Sequence, residues 1–409
     1  MPNLGFEVYA LVFGLALAGA WALTALLPLD RLARPAEARL GRRRVGGLAI
    51  FAAFLLALVL ASLVSSDLSD LLASQKRETA GLLGAALMIL LVGVVDDLLE
   101  VNFKVKFLVQ TAAAALVFVI GYRIEDVALP WGATFSLGWA APLVTILWLV
   151  FITNAMNLID GKDGVAAGVA IIVAVPLALI AANVDNPLVA AQLVAVAGAC
   201  VGFLPFNLPT ASRLLGDSGA LLLGFLLAAL AIEGSTGVTD SMFISVPIVA
   251  LGFPILDTLL AFSRRLLDRK HPFLRDLDHI QHRLEQAGLS DRGVVLSLYA
   301  LCVLFSGAAL TLHFVEGVAA EFGAFFAFGA AITLVLFRLD YAGSLWNSAS
   351  VTSVRGALAS ALGLRPRQRA GPPADGSTGS PCDVGQPEPP LAARLRRERR
   401  VPASKRRPF

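Results

Sequence analysis

The sequence predicts an all-α integral membrane protein: a polytopic bundle of about eleven transmembrane helices, amino terminus outside and carboxyl terminus cytoplasmic. Three observations carry that prediction. Of 409 residues, 57% are hydrophobic and only 15% charged, with a mean hydropathy of +0.76, whereas ordinary soluble domains carry about 25% charged residues. The apolar residues gather in stretches near the roughly 20 residues that a helix needs to cross a bilayer. The 33 Lys and Arg residues then fall almost entirely between alternate stretches, as the inside-positive bias requires. A soluble globule of this size could not cover its surface with so little polar material.

The expected spans centre on 5–28, 45–65, 79–95, 105–121, 137–156, 164–182, 188–206, 218–232, 242–263, 293–313 and 320–338. The first lacks a cationic leader and a small-residue cleavage site, so it is expected to be a retained span and not a signal peptide. The stretch 218–232 is short and is expected to tilt or to begin inside an aqueous cavity. An odd number of spans puts the termini on opposite sides, and with the amino terminus outside 30 of the 33 cations lie inside, leaving Lys76, Arg77 and Arg123 outside. Two regions follow: a membrane domain over 1–340, and a basic, Pro/Gly-rich cytoplasmic tail over 341–409 expected to be disordered. Cys200, Cys302 and Cys382 are too far apart for a CxxC module, which argues against a disulfide framework or a zinc finger. No nucleic-acid partner is expected, and a homodimer is left open.

Scarce charge at the edge of a membrane span marks function by default. Five aspartates sit at predicted inside ends: Asp96 and Asp97 in GVVDDLLEVNFKVKF, Asp160 and Asp163 in NAMNLIDGKDG, and Asp217 in LLGDSGALLLGF. Helix capping would account for any one of them, but not for five on one face. Such a cluster repels itself unless a cation enters, and Mg²⁺ with a phosphate substrate fits best, with Mn²⁺ as a substitute. Asn154, Asn157 and Asn207 add neutral oxygen ligands or amide donors. Gly161, Gly164, Gly216 and Gly219 let the backbone approach a ligand, and Ser218 opens a helix whose N–H groups favour an anion. The predicted inside loop 264–292 carries Arg264, Arg265, Arg269, Lys270, His271, Arg275, His279, His282 and Arg283, an inventory suited to a phosphate-rich ligand. His279 and His282 share a helix face, but without HExxH or cysteine partners they do not read as a zinc site.

With these residues in view, the chain from about 30 to 300 resembles the polyprenyl-phosphate N-acetylhexosamine-1-phosphate transferases. RRRVGGLAIF is similar to that family's PRxGGxAI segment and GVVDDLLEVNFKVKFLVQ to its DD and K–Q stretch. NAMNLIDGKDGVAAG is close to NxxNxxDGxDGLA, FNLPTASRLLGDSGALLLGF resembles FNxxPAxxFMGDxGS, and DHIQHRL its HxHHRL loop. Gln281 stands where the family usually has a histidine, and Leu214–Leu215 replaces Phe-Met. The form of the His loop and the eleven expected spans look more like the branch acting on UDP-GlcNAc than the one acting on UDP-MurNAc-pentapeptide.

The resemblance implies an Mg-dependent phosphotransferase of the cell inner membrane with its active site on the cytoplasmic face. A polyprenyl phosphate such as undecaprenyl phosphate would take GlcNAc-1-phosphate from UDP-GlcNAc and release UMP, starting a cell-envelope polysaccharide. UDP-MurNAc-pentapeptide or another UDP-HexNAc are the alternative donors. By the same resemblance Asp217 and Asn157 would hold Mg²⁺, Asp96 and Asp97 would act as base or orienting groups, and Lys106 would contact phosphate. Asp160, Asp163 and Asn207 would line the nucleotide end and His279, His282 and Arg283 the diphosphate and sugar; Asn154, Gly216 and Ser218 complete the substrate-binding set. Two rivals fit less well. A CDP-alcohol phosphotransferase would need an Arg where Gly168 stands, and an ion-coupled transporter would need ionisable groups deep within its spans.

Overall fold

A computed structural model describes residues 4–26, 43–128, 134–236, 241–243, 245–267 and 279–315, with scattered positions of 322–333. Among the described residues nine helices are long and apolar enough to cross a membrane. They are α1 (Phe6–Leu26), α2 (Gly46–Val64), α4 (Lys76–Leu99), α5 (Phe103–Ile120), α6 (Ala141–Ile159, extended by a 3₁₀ turn at Gly138–Ala140), α7 (Val165–Asn183), α8 (Pro187–Asn207), α9 (Gly216–Gly234) and α13 (Asp291–Phe314). Short α3 (Ser66–Ser74) joins α2 to α4, its start capped by Ser65, whose Oγ accepts the Leu68 N–H.

Nine such helices stand where eleven spans were expected. The expected span 242–263 is two helices, α10 (Ser245–Ala250) and α11 (Gly252–Leu267). Pro254 has no N–H to give and its ring crowds the carbonyl four residues back, which is where the helix breaks; Gly252 adds a weak helix former. The span 320–338 lies largely outside the described residues, and the tail 341–409 wholly so.

The short expected span became the centre of the bundle. α9 is buried along nearly its whole length and packs against α2, α4, α6, α7 and α8, as a helix apolar on every side must. Its first turn, GDSG, is wedged between two neighbours that lack side chains at the contact. A β-carbon at Gly47 of α2 would fall on the backbone of Ser218 and Gly219, and one at Gly93 of α4 would fall on the backbone of Ser218.

Two small strand groups close opposite ends of these helices. At the end where α9 begins, β1 (Arg43–Arg44) pairs in parallel with β4 (Arg213–Leu214), Arg44 opposite Leu214. At the other end, β2 (Asp126–Ala128) lies between antiparallel β3 (Thr134–Ser136) and parallel β5 (Ser241–Phe243).

The start of α9 is closed by a carboxylate from another helix. Asp97, in the last turn of α4, accepts the Asp217 N–H on Oδ1 at 2.9 Å and the Ser218 N–H on Oδ2 at 3.1 Å. These are among the N–H groups that a helix leaves without internal partners. Arg44, delivered by the β1–β4 pairing, donates from Nη1 to Asp97 Oδ1 at 2.9 Å, balancing a carboxylate that is 4% exposed.

Two paired comparisons follow for thermal unfolding of the detergent-solubilised protein. Gly93→Ala overpacks the α4–α9 contact and is expected to cost about 1–3 kcal/mol. Gly84→Ala on the same helix meets nothing within 4 Å and is expected to stay within about 1 kcal/mol of the parent. Asp97→Asn strips a buried ion pair of one partner and is expected to cost about 3–5 kcal/mol, whereas Asp217→Asn, at a partly exposed carboxylate, should cost under about 1 kcal/mol.

Candidate functional site

A cavity of about 960 Å³ lies beside the start of α9, between α5, α6, α11 and the adjoining loops. One wall is apolar, formed by Phe103, Phe107, Leu147, Phe151, Leu259 and Phe262, most of them exposed. The opposite wall is polar and collects four segments, two of them consecutive in the chain.

The first segment is the α4–α5 turn. Asn102 caps α5, its Oδ1 accepting the Lys104 N–H at 3.0 Å, which sets Lys106 one turn into the helix. Lys106 Nζ donates to Asp96 Oδ2 and to Asp217 Oδ2, each at 3.0 Å. The other oxygen of Asp96 accepts the Val101 N–H at 2.7 Å. Arg44 Nη1 lies 3.8 Å from Asp217 Oδ1, so Asp217 stands between two cations, one on each oxygen.

The second segment is the end of α6. Asn154 donates from Nδ2 to Gln110 Oε1 at 2.6 Å and to the Val150 carbonyl at 2.7 Å. Asn157 and Asp160, one turn apart, line the cavity with no side-chain hydrogen-bond partner among the described residues. Burial, then the carboxylates of Asp217 and Asp97, push Asp160 well above the usual carboxylate range, with Arg44 offsetting part of this. A second positive charge nearby would relieve all of these effects.

The third segment is the turn 160–164. Gly164, at φ +86°, donates its N–H to Asn207 Oδ1 at 3.1 Å and accepts from Tyr299 Oη at 2.6 Å; the Tyr299 ring lies where any side chain at residue 168 would go, so Gly168 is required there. Asp163 Oδ2 accepts the Ala211 N–H at 3.1 Å, and Asn207 Nδ2 donates to the Arg213 carbonyl at 3.0 Å. Lys162 reaches across to Glu285 and Asp291. Those two carboxylates raise the Lys162 ammonium, and Lys162, with His282, holds Glu285 below its ordinary value.

The fourth segment is short α12 (Ile280–Gln286). His279 precedes it, its Nδ1 2.7 Å from Asp257 Oδ2, and His282 Nδ1 lies 3.0 Å from Glu285 Oε2. Gln281 is buried against Gly161, which has no room for a side chain of its own.

Lys106, Asn154, Asn157, Asp160, Asp163, Asn207, Gly216, Asp217, His279 and His282 therefore line one cavity. Asp96 sits behind Lys106; Asp97 and Ser218 bond to each other, so the anion at the start of α9 is the protein's own carboxylate. Arg283 is half-buried on α12 and is not part of the lining. Among the described residues no three His, Cys, Asp or Glu side chains form a ready-made metal cage. The oxygens of Asp217, Asn157 and Asp160 suit a hard cation that takes one or two carboxylates and completes its shell from substrate phosphates. Sequence reasoning missed Arg44, counted as one more inside cation, and Asp257, hidden in an apolar stretch; an aspartate within an expected span was the available signal.

Comparison with known proteins identifies the family. The family model described as glycosyl transferase family 4 matches residues 79–235, from the start of α4 to the end of α9. The probable undecaprenyl-phosphate N-acetylglucosaminyl 1-phosphate transferase of Bacillus subtilis is 38% identical over 270 residues, 66% of this chain and 73% of that protein. The decaprenyl-phosphate N-acetylglucosaminephosphotransferase of Mycobacterium tuberculosis is 33% identical over 322 residues, 72% and 79%. A phospho-N-acetylmuramoyl-pentapeptide-transferase of Moorella thermoacetica is 35% identical over a shorter 185 residues, 44% and 55%. This chain belongs to glycosyl transferase family 4, the polyprenyl-phosphate N-acetylhexosamine-1-phosphate transferases.

Proposed function

We infer that the protein transfers N-acetylglucosamine 1-phosphate from UDP-GlcNAc to a polyprenyl phosphate at the cytoplasmic face of the plasma membrane, with the amino terminus outside. The observation that carries this reading is the two-sided cavity: Asp217 between Lys106 and Arg44 at its polar wall, and an apolar wall of exposed Phe103, Phe107, Leu147, Leu259 and Phe262. The isoprenoid chain would lie along Phe103, Phe107, Leu147, Leu259 and Phe262, with its phosphate at Lys106. An oxygen of that phosphate attacks the sugar-side phosphorus of the nucleotide sugar; the new P–O bond forms as the bond to the bridging oxygen breaks, and UMP leaves. Such transfer needs positioning and charge neutralisation more than covalent help, and a phosphate nucleophile is already an anion at neutral pH.

Asp217 and Asn157 would hold Mg²⁺, with Asp160 beside them. Bound there, the ion would neutralise charge on the transferring phosphoryl group. Lys106 steers the lipid phosphate, and Asp96, by bonding Lys106, keeps that ammonium in place. Asp163 and Asn207 act by holding the 160–164 turn. Longer matches to the Bacillus subtilis and Mycobacterium tuberculosis relatives named for N-acetylglucosamine than to the Moorella thermoacetica relative named for the muramoyl pentapeptide favour UDP-GlcNAc as donor.

The test is UMP release by purified protein given polyprenyl phosphate, Mg²⁺ and, in parallel, UDP-GlcNAc, UDP-MurNAc-pentapeptide and other UDP-HexNAc donors. UMP is expected from UDP-GlcNAc; chelation should abolish it, with Mg²⁺ restoring it fully and Mn²⁺ in part. Asp217→Asn and Lys106→Met are each expected to lower turnover by about 10²-fold or more, while Asp217→Asn leaves the melting temperature nearly unchanged. No UMP from any donor with folded protein overturns the reading.

A further inference from the structure

Asp257 does not line the cavity, and His279 does. They meet through one edge of the imidazole, Nδ1 lying 2.7 Å from Asp257 Oδ2, while the second carboxylate oxygen accepts the Ile280 N–H at 2.8 Å. Asp257 is 2% exposed and His279 5%. An ionised carboxylate can only accept, so with Asp257 ionised this short contact requires a proton on Nδ1. Nε2 is then the polar atom that His279 can offer the cavity. The Ile280 bond pins the backbone next to the ring, so one carboxylate fixes both its place and its tautomer. A plain helix cap needs one acceptor oxygen for the backbone; the second oxygen, spent on the ring, has no part in capping.

We propose that Asp257 is a positioning residue for the transfer reaction, acting through His279 to present Nε2 to the diphosphate of the nucleotide sugar. This rests on the transferase reading above. Asp257→Asn keeps an oxygen for the Ile280 N–H but turns an amide donor toward the ring, which favours the opposite tautomer.

The experiment is a double-mutant cycle on UMP release, together with ¹⁵N NMR of imidazole-labelled protein, in which the chain's four histidines make assignment by His279→Gln practical. Asp257→Asn is expected to lower kcat by about 10- to 100-fold in the parent and by less than about twofold in the His279→Gln background, because the acceptor then has nothing to orient. Nδ1 of His279 is expected to carry a proton in the wild type, and Asp257→Asn to shift the proton to Nε2. Equal costs in the two backgrounds, or a bare Nδ1 in the wild type, overturn the proposal. Should Asp257→Asn fail to fold, the wild-type spectrum alone decides. Wild-type protein that gives no UMP overturns the transferase reading instead, an outcome distinct from active wild type with additive costs.

Discussion

The constraint on which the site depends is the burial of a helix start. α9 begins inside the bundle, where its first N–H groups have no partner within the helix and little access to water, and an unmet buried N–H is costly. Asp97 meets two of them. That solution brings a negative charge into the interior, and Arg44 balances it. The close approach is open only because Gly47 and Gly93 carry no side chains against Ser218. Asp217 follows as the second residue of the helix, so its position is set by a clamped backbone and its carboxylate is left to Lys106, Arg44 and whatever enters the cavity.

Charge at the polar wall is correspondingly unfinished. Among the described residues Lys106 and Arg44 are shared among Asp96, Asp97 and Asp217, and Lys162 is engaged with Glu285 and Asp291. Asp160 and Asn157 face the same space with no side-chain hydrogen bond among the described residues, and Asp160 is held well above its ordinary range. A wall of this mixed charge suits phosphates together with a hard cation better than a purely acidic or a fully neutralised wall would. Among the described residues Lys106, Arg44 and Lys162 line the cavity already paired with carboxylates, and Asp160 is ion-paired with none.

The sequence made the helices legible because apolar length is a strong signal, and it made the aspartates legible because charge is scarce in such a chain. It singled out Lys106, Asp160, Asp163, Asp217, His279 and His282 of the cavity lining but not Arg44. It could not separate the roles of adjacent residues: Asp96 and Asp97 are neighbours in sequence, yet one backs Lys106 and the other caps α9, a difference set by the partners that tertiary packing brings to each. Arg44 was indistinguishable from five other Arg in 29–44, because its role comes from a two-residue strand pairing across 170 positions of chain. Asp257 was lost to averaging: one carboxylate barely lowers the hydropathy of a 20-residue stretch, though the prolines and glycine around it break that stretch in two.

Depth is what separates an enzyme from an ion-coupled transporter here. A transporter carries its ionisable groups near the midplane, where the coupling ion must bind. In this chain Asp96 and Asp97 lie in the last turn of α4, Lys106 in the first turn of α5, and Asp217 in the first turn of α9, so the charges gather at one end of the bundle. On the transferase reading that end would admit a soluble nucleotide, and the exposed apolar wall would admit a lipid from the side. A polar reactant and a membrane-dissolved one can reach such a cavity from different phases, and neither has to cross the hydrocarbon core.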